Sequence, residues 1–240
     1  MNAPPITQLT PENDLYPGSV VAAFNGKAPT LWCQGNLSLL TKPGVGFCGS
    51  RKASDKGLET ARDCAEQACS LGISVISGNA AGVDFIAHRT TLEAGGTTIL
   101  ALPEGIDHFR IRKEFQPIWD WNRVLVISQF TPDAAWKVYR AMDRNTLIIA
   151  LSRAMIVIEA GEKGGTLNAG LTTLSLSKPL FVAVYEQARE SALGNTILIG
   201  KGGIPLARNR STGRANLKRV QEAIEGQWEA PASYGQPSLF

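Results

Sequence analysis

Short apolar runs alternate with segments of helical periodicity from about residue 43 to residue 207. The apolar runs predict strands at residues 45–50, 73–77, 97–103, 123–130, 154–160 and 179–184. Apolar residues spaced three or four apart predict helices at residues 55–71, 83–93, 133–151 and 166–175. Because parallel strands need crossover connections, and because these strands are apolar throughout, the pattern indicates a sheet covered on both faces. It predicts a single α/β domain with a doubly wound, mostly parallel, extended Rossmann-like sheet.

The two ends of the chain differ from this alternating core. Residues 1–42 are rich in Pro, Asn and Gly, and we expect a short lead-in that packs on the edge of the core domain, residues 43–207. Residues 208–240 form a basic tail, with a predicted helix that reaches Gly226 and a final stretch that we expect to be flexible.

The composition limits the class of protein to which the chain can belong, but it does not identify a ligand. Hydrophobic residues make up 44% of the chain, which suffices for a layered core, and the net charge of +3 neither requires nor excludes nucleic acid. The sequence contains no apolar run of the ~18 residues that a membrane span needs and no secretory signal pattern, so we expect a cytoplasmic protein. The four cysteines form no CxxC pair; we expect buried thiols, and no metal or other cofactor.

Glycine-centred turns follow three of the predicted strands. The first glycine turn, residues 49–52, reads GSRK; the second, residues 78–82, reads GNAAG; the third, residues 163–166, reads KGGT. Each precedes a predicted helix, so its backbone amides and the positive end of the helix dipole favour an anion. The predicted phosphate-binding residues in these turns are Gly49, Ser50, Arg51, Lys52, Gly78, Asn79, Ala80, Lys163, Gly164, Gly165 and Thr166.

Two further patterns in this region are weaker. Gly44, Gly46 and Gly49 spell G-x-G-x-x-G, but the first two lie before or inside the predicted strand, and no acidic residue ends the next one, so dinucleotide binding is disfavoured. Asp84 and His88 are four residues apart on one helical face. We favour amide capping for Asp84 and a structural hydrogen bond for His88 over acid–base catalysis.

The predicted helix at residues 133–151 carries a basic set. Lys137, Arg140 and Arg144 lie three or four apart and share a face, and Asn145 follows Arg144. This face is either exposed to solvent or a phosphate-binding surface. We include Arg144 and Asn145 among the predicted phosphate-binding residues. Aromatic residues that stack on unpaired bases are few: Phe109, Phe115 and Trp136 qualify by type, with core packing the default for each.

The order of these motifs resembles the DNA-processing protein A (DprA/Smf) family. The matching segments, from about residue 16 to residue 207, are YPG, LWCQGNLSLL, GSRKAS, SGNAAGVDFIAH, GGTTILALPEGID, the RN of DRNTLIIALS, VIEAGEKGGTLNAG and LGNTILIGKGG. The resemblance implies a Rossmann-like domain that binds single-stranded DNA, forms a homodimer and helps load a RecA-type recombinase in natural transformation. It implies no catalytic turnover.

The chain also departs from the family pattern. Thr146 stands where the family usually has a second arginine, GGTLNAG replaces SGSLITA, and HFRIRKEF follows Asp107. The lead-in and tail are shorter than the helical module or winged helix of many members. We expect a trimmed, divergent member, from a plasmid, phage or defence locus, which weakens the transformation role more than the DNA-binding fold.

The alternative is a free-nucleotide binder related to the LOG-type phosphoribohydrolases. The third glycine turn resembles their PGGxGTxxE phosphate loop, but Ala169 stands where those enzymes need a glutamate. Without that base hydrolysis is disfavoured, and we expect a protein that is not an enzyme. The pathway, the contact with a recombinase, the dimer surface and the choice between DNA and a free nucleotide stay open.

Overall fold

The computed structural model describes residues 3–185 and 192–226, which form one α/β domain. The strands of the described residues are Thr7–Leu9 (β1), Leu31–Gly35 (β2), Gly44–Cys48 (β3), Ser74–Ser77 (β4), Thr98–Leu102 (β5), Val124–Ser128 (β6), Ala154–Val157 (β7), Leu180–Ala183 (β8) and Ile204–Leu206 (β9). The helices are Gly18–Ala23 (α1), Asp55–Ser70 (α2), Val83–Glu93 (α3), Val138–Leu151 (α4), Gly165–Ser175 (α5), Leu193–Gly200 (α6) and Lys218–Ile224 (α7).

All nine strands belong to one sheet in the order β1-β2-β6-β5-β4-β3-β7-β8-β9. The run from β6 to β9 is parallel, whereas β1 and β2 pair antiparallel at the β6 edge. The doubly wound, mostly parallel sheet is confirmed. The strand order reverses between β3 and β7, and in such sheets ligands bind outside the carboxyl ends of the strands at this reversal.

Hydrophobic burial occurs on both faces of the sheet. Within β4, Val75 packs in the cluster under α2, α3 and α7, while Ile76 packs in the cluster under α1, α4 and α6. Successive strand residues point to opposite faces, so uninterrupted apolar strands need cover on both sides. This is the physical reason that the apolar runs predicted the architecture.

The ends of the described chain join this single domain. Residues 7–35 contribute β1 and β2, so the lead-in extends the sheet itself. In the tail, Leu217 and Val220 are buried against the α2 face, and Arg214 forms ion pairs with Asp63 and Glu66 of α2. The predicted flexible end, residues 227–240, lies outside the described residues. Among the residues placed, no helix is long and apolar enough to cross a membrane.

The prediction of a helix from residue 133 was wrong at its amino-terminal end. Helix α4 begins at Val138, and Lys137 is its N-cap residue in extended conformation. Lys137 therefore does not share a helical face with Arg140 and Arg144. Arg144 itself is only 6% exposed, so the three side chains do not form one basic surface.

Candidate phosphate-binding cleft

A cleft of about 510 Å³ lies at the carboxyl edge of the sheet, where the strand order reverses between β3 and β7. The first and third glycine turns and the start of α4 all line it. Its lining residues are Cys48, Gly49, Ser50, Arg51, Ala80, Asp84, Trp136, Val138, Ala141, Met142, Arg144, Asn145, Gly161, Lys163, Gly165 and Thr166.

The first glycine turn is anchored at both ends. The Ser50 amide donates to the carbonyl oxygen of Glu159 at 2.8 Å, which ties the end of β3 to the end of β7. The Lys52 amide donates to Ser50 Oγ at 3.0 Å. The side chain of Arg51 is left exposed beside the cleft, where its planar guanidinium suits a phosphate.

The second glycine turn packs directly against the first. Gly82 has φ +74°, and a Cβ there would stand 2.4 Å from the carbonyl oxygen of Ser50. Only glycine meets both requirements, because the left-handed backbone and the close approach each exclude a side chain. Asp84 Oδ2 accepts from the Ala80 amide at 3.3 Å, which confirms amide capping for this carboxylate.

Arg144 forms the floor of the cleft. Its Nη1 donates to the carbonyl oxygen of Ala101 at 2.7 Å, and its guanidinium packs on Gly78, where a Cβ would clash at 1.9 Å. Among the described residues its buried Nε has no hydrogen-bond partner. Burial lowers the pKa of Arg144, and the carboxylates of Asp84 and Glu104 oppose that shift. A buried cation with an unused donor favours an anionic ligand in the cleft.

The third glycine turn presents the amino terminus of α5. Gly164 is the N-cap with φ +110°, a left-handed conformation that favours glycine. Gly165 is exposed and bears no side chain, so an oxygen atom can approach the first amides of this 11-residue helix. Lys163 is exposed on the same turn and adds a mobile positive charge.

One wall of the cleft is apolar. Trp136, Val138, Ala141 and Met142 line it, and Trp136 is 50% exposed. This wall adjoins the third glycine turn, because a Cβ on Gly165 would stand 3.7 Å from Met142 Sδ. Only Trp136 of this wall was considered from the sequence. The sequence feature that marks the other wall residues is the set of apolar residues at the start of α4. In the structure this part of the helix has no buried face.

Nine of the thirteen predicted phosphate-binding residues line the cleft, and four do not. Lys52 is exposed outside the cleft, and Gly78 is buried behind Arg144. The carbonyl oxygen of Asn79 accepts a hydrogen bond from Arg112, and Gly164 is the N-cap of α5. The other two aromatic candidates, Phe109 and Phe115, are buried in a core cluster. Trp136 is therefore the aromatic residue that can meet a ligand here.

Two titratable groups near the cleft, His88 and Cys48, have pKa values shifted by burial. His88 Nε2 contacts the Gly78 carbonyl oxygen at 2.7 Å and Nδ1 contacts Thr98 Oγ1 at 2.6 Å, and burial lowers its pKa to about 4. Burial raises the pKa of the Cys48 thiol to about 12, which disfavours the nucleophilic thiolate. Asp84 and His88 thus have separate hydrogen-bond partners, and the arrangement is suited to binding.

Comparison with known proteins places most of the chain in one family. A family model described as DNA recombination-mediator protein A matches residues 7–212. The chain belongs to this family. It is 33% identical over 158 residues to the DNA processing protein DprA of Streptococcus pneumoniae, covering 65% of this chain and 55% of that protein. The chain spans about half the length of the first curated relatives that it matches.

Two solved structures of the DNA processing protein A family share the fold. The Streptococcus pneumoniae protein superposes with a TM-score of 0.76 and 25% identity, covering 93% of this chain and 75% of that chain. The Helicobacter pylori protein, described in terms of its single-stranded DNA binding mode, superposes with a TM-score of 0.73 and 25% identity. That match covers 92% of this chain and 95% of that chain. The resemblance read from the motifs is confirmed.

Arg51→Ala is expected to weaken oligonucleotide binding by about 1–3 kcal/mol while changing the melting temperature little, because one charge-assisted contact is lost from an exposed side chain. Titration of a labelled oligonucleotide, with a thermal melt of each protein, measures both effects. Arg89→Ala is the matched control, since Arg89 is exposed and its ion pair among the described residues is with Glu93 on α3. A large fall in melting temperature with unchanged binding would make Arg51 a structural residue.

Proposed function

We propose that the chain binds single-stranded DNA in this cleft, as a recombination-mediator protein. The observation that carries the proposal is the mixed lining of the cleft. Anion-binding turns with Arg51, Lys163 and the buried Arg144 line it together with apolar residues that include the exposed Trp136. A nucleotide unit combines the same two properties, an anionic phosphate and a flat apolar base. The single-stranded DNA binding described for the Helicobacter pylori neighbour supports it.

The cleft favours an unpaired strand over a duplex. In a duplex each base is stacked and paired, so its flat faces cannot reach Trp136 without unstacking. An unpaired strand offers base and phosphate together. Sequence preference should be weak, because every base has a face that can stack.

Single-stranded DNA is expected to bind more tightly than a duplex of the same sequence, with no added metal. The affinity should fall with salt, with a log–log slope of roughly −2 if three cations each neutralise one phosphate at about −0.7 per contact. Fluorescence anisotropy across a salt series, with strand and duplex in parallel, measures this. Equal affinity for the two, or an affinity independent of salt, would overturn the proposal.

We infer the protein partner and the lack of catalysis from the family resemblance. We propose that the bound strand is passed to a RecA-type recombinase, and that the protein performs no turnover of its own. The position corresponding to the glutamate of the LOG-type enzymes is Ala169, which is 2% exposed. Glu159, at the end of β7, is buried and accepts hydrogen bonds from the Ser54 amide and hydroxyl at the start of α2. These observations support a protein that lacks the general base of the LOG-type enzymes.

The alternative ligand is a free nucleotide, since one phosphate and one base would satisfy both walls. Titration with AMP beside an oligothymidylate separates the two ligands, and chromatography of AMP after incubation reports any release of adenine. Tight AMP binding with no oligonucleotide binding would indicate that the ligand is a free nucleotide.

We propose a homodimer, and expect sedimentation at micromolar concentration to show one. Residues 166–176 are rich in apolar side chains. Within this segment Leu167 and Leu174 pack inward, while Leu171 is 38% exposed. Leu193 and Ile197 of α6, the helix in contact with α5, are 36% and 38% exposed. Leu171→Glu should shift the protein to a monomer, because it places a charge in the apolar patch. A wild-type protein that sediments only as a monomer, with and without DNA, would refute the dimer.

A further inference from the structure

A group of aromatic and cationic side chains lies beside the cleft, near the start of α4. We call Phe130, Trp136, Lys137, Tyr139 and Arg140 the ledge. Trp136 and Tyr139 are 50% and 54% exposed, an unusual degree for large aromatic side chains, which proteins ordinarily bury.

The ledge alternates rings with positive charges. The guanidinium carbon of Arg140 lies 5.1 Å from the ring centre of Phe130 and 5.9 Å from that of Tyr139. Lys137 Nζ lies 5.9 Å from the ring centre of Tyr139. Within the described part of the chain, neither Lys137 nor Arg140 forms an ion pair, and Arg140 is oriented by a hydrogen bond to the Ala135 carbonyl oxygen.

The ledge is continuous with the cleft. Trp136 belongs to both, and Val138, which is 70% exposed, lines the cleft beside it. A strand whose phosphate lies at the third glycine turn would leave the cleft past Trp136 and meet Tyr139, Lys137 and Arg140 next.

We propose that the ledge is a base-stacking extension of the cleft, on which Trp136 and Tyr139 stack successive bases of a single strand and Lys137 and Arg140 contact its phosphates. The inference rests on the proposed single-strand binding and adds a second subsite to it. Charge complementarity selects this occupant: aromatic faces interleaved with unpaired cations fit bases and phosphates, whereas a protein partner of apolar character would leave both cations buried without counter-charges.

Tryptophan fluorescence provides the test, because Trp136 is the most exposed tryptophan among the residues that the structure describes. The probe is an oligothymidylate of roughly 20 nucleotides, longer than the ~4–16 nucleotides of typical single-strand sites. Binding should quench the fluorescence, and Trp136→Phe should abolish most of the quenching while keeping affinity within about 2-fold, since phenylalanine also stacks. Trp136→Ala should weaken binding roughly 5- to 150-fold, the range for one lost base–aromatic stack.

Two controls isolate the bases. Leu71→Ala removes a side chain that is 41% exposed at the C-cap of α2, on the opposite edge of the sheet, and should leave affinity unchanged. An abasic oligonucleotide keeps the phosphates but has no bases to stack. The wild-type protein and Trp136→Ala should therefore bind it with equal affinity. Melting temperatures check that each variant is folded.

The ledge and the cleft can fail separately. Tyr139 belongs to the ledge but not to the cleft lining, so Tyr139→Ala should weaken binding as the loss of one base–aromatic stack does. Unchanged affinity in Tyr139→Ala, with binding lost in a Gly165→Asp variant of the third glycine turn, would overturn the ledge and leave the proposed function standing. A ledge variant that binds DNA with unchanged affinity, but whose oligomeric state by sedimentation differs from that of the wild-type protein, would overturn the proposal as well. It would show that the ledge is a protein interface. If the wild-type protein binds no oligothymidylate, the proposed function fails and the ledge with it.

Discussion

Gly165→Asp is expected to reduce oligonucleotide binding by more than about 100-fold, because the new carboxylate faces the amides and cations that bind phosphate. Gly165 is exposed at the first position of α5, and its Cβ would make only ordinary contact, 3.7 Å from Met142 Sδ. The effect therefore comes from charge rather than a clash. An aspartate at this helix end is favoured by the dipole, so the fold should be retained.

The matched control is Gly165→Asn, which has nearly the same size and no charge. It should weaken binding by less than about 10-fold, because one polar side chain obstructs the turn without repelling the phosphate. Anisotropy titrations of both variants, with melting curves, separate charge from shape. Equal losses in the two variants would contradict an anion site at this turn. Retained binding in Gly165→Asp would place the strand elsewhere.

Acidification from about pH 6.5 to about pH 4 is expected to remove about 3 kcal/mol from the free energy of unfolding through His88 alone. His88 is buried and bonded on both ring nitrogens, and burial lowers its pKa to about 4 from its usual value near 6.5. Because the unfolded chain takes up the proton first, the stabilisation is complete above pH 6.5. It is lost as the pH falls towards the folded pKa.

Denaturant titrations across this pH range measure the effect. His88→Gln keeps a donor for the Gly78 carbonyl oxygen but does not titrate, so its stability should be lower at pH 7 and should change less between pH 6.5 and 4. His108→Gln is the control, since His108 is exposed, and it should keep the pH dependence. An identical pH profile in His88→Gln and the wild-type protein would show that His88 is not the titrating group.

The architecture was predictable because it depends on local patterns that survive without tertiary information. Apolar strands such as β4 are buried on both faces of the sheet, and the alternation of strands with helices permits few ways of connecting them. Parallel strands bring their carboxyl ends to one edge, so Gly49 and Gly165 could be expected near each other although more than a hundred residues separate them. The order of the motifs also indicated the family to which the chain belongs.

The site was predictable only in part. Arg144 was expected as a surface cation; the structure places it on the cleft floor, bonded to Ala101 and packed on Gly78. The apolar wall was missed beyond Trp136, because Val138 and Met142 have the residue types of a buried helix face.

The sequence by itself determined the strands, the glycine turns and the sheet edge at which they meet, because these follow from residue type and periodicity. Only the tertiary structure decided which charges are buried, where α4 begins and which apolar residues remain exposed. Those properties depend on the neighbours that a segment meets across the fold, and periodicity along one chain does not contain them.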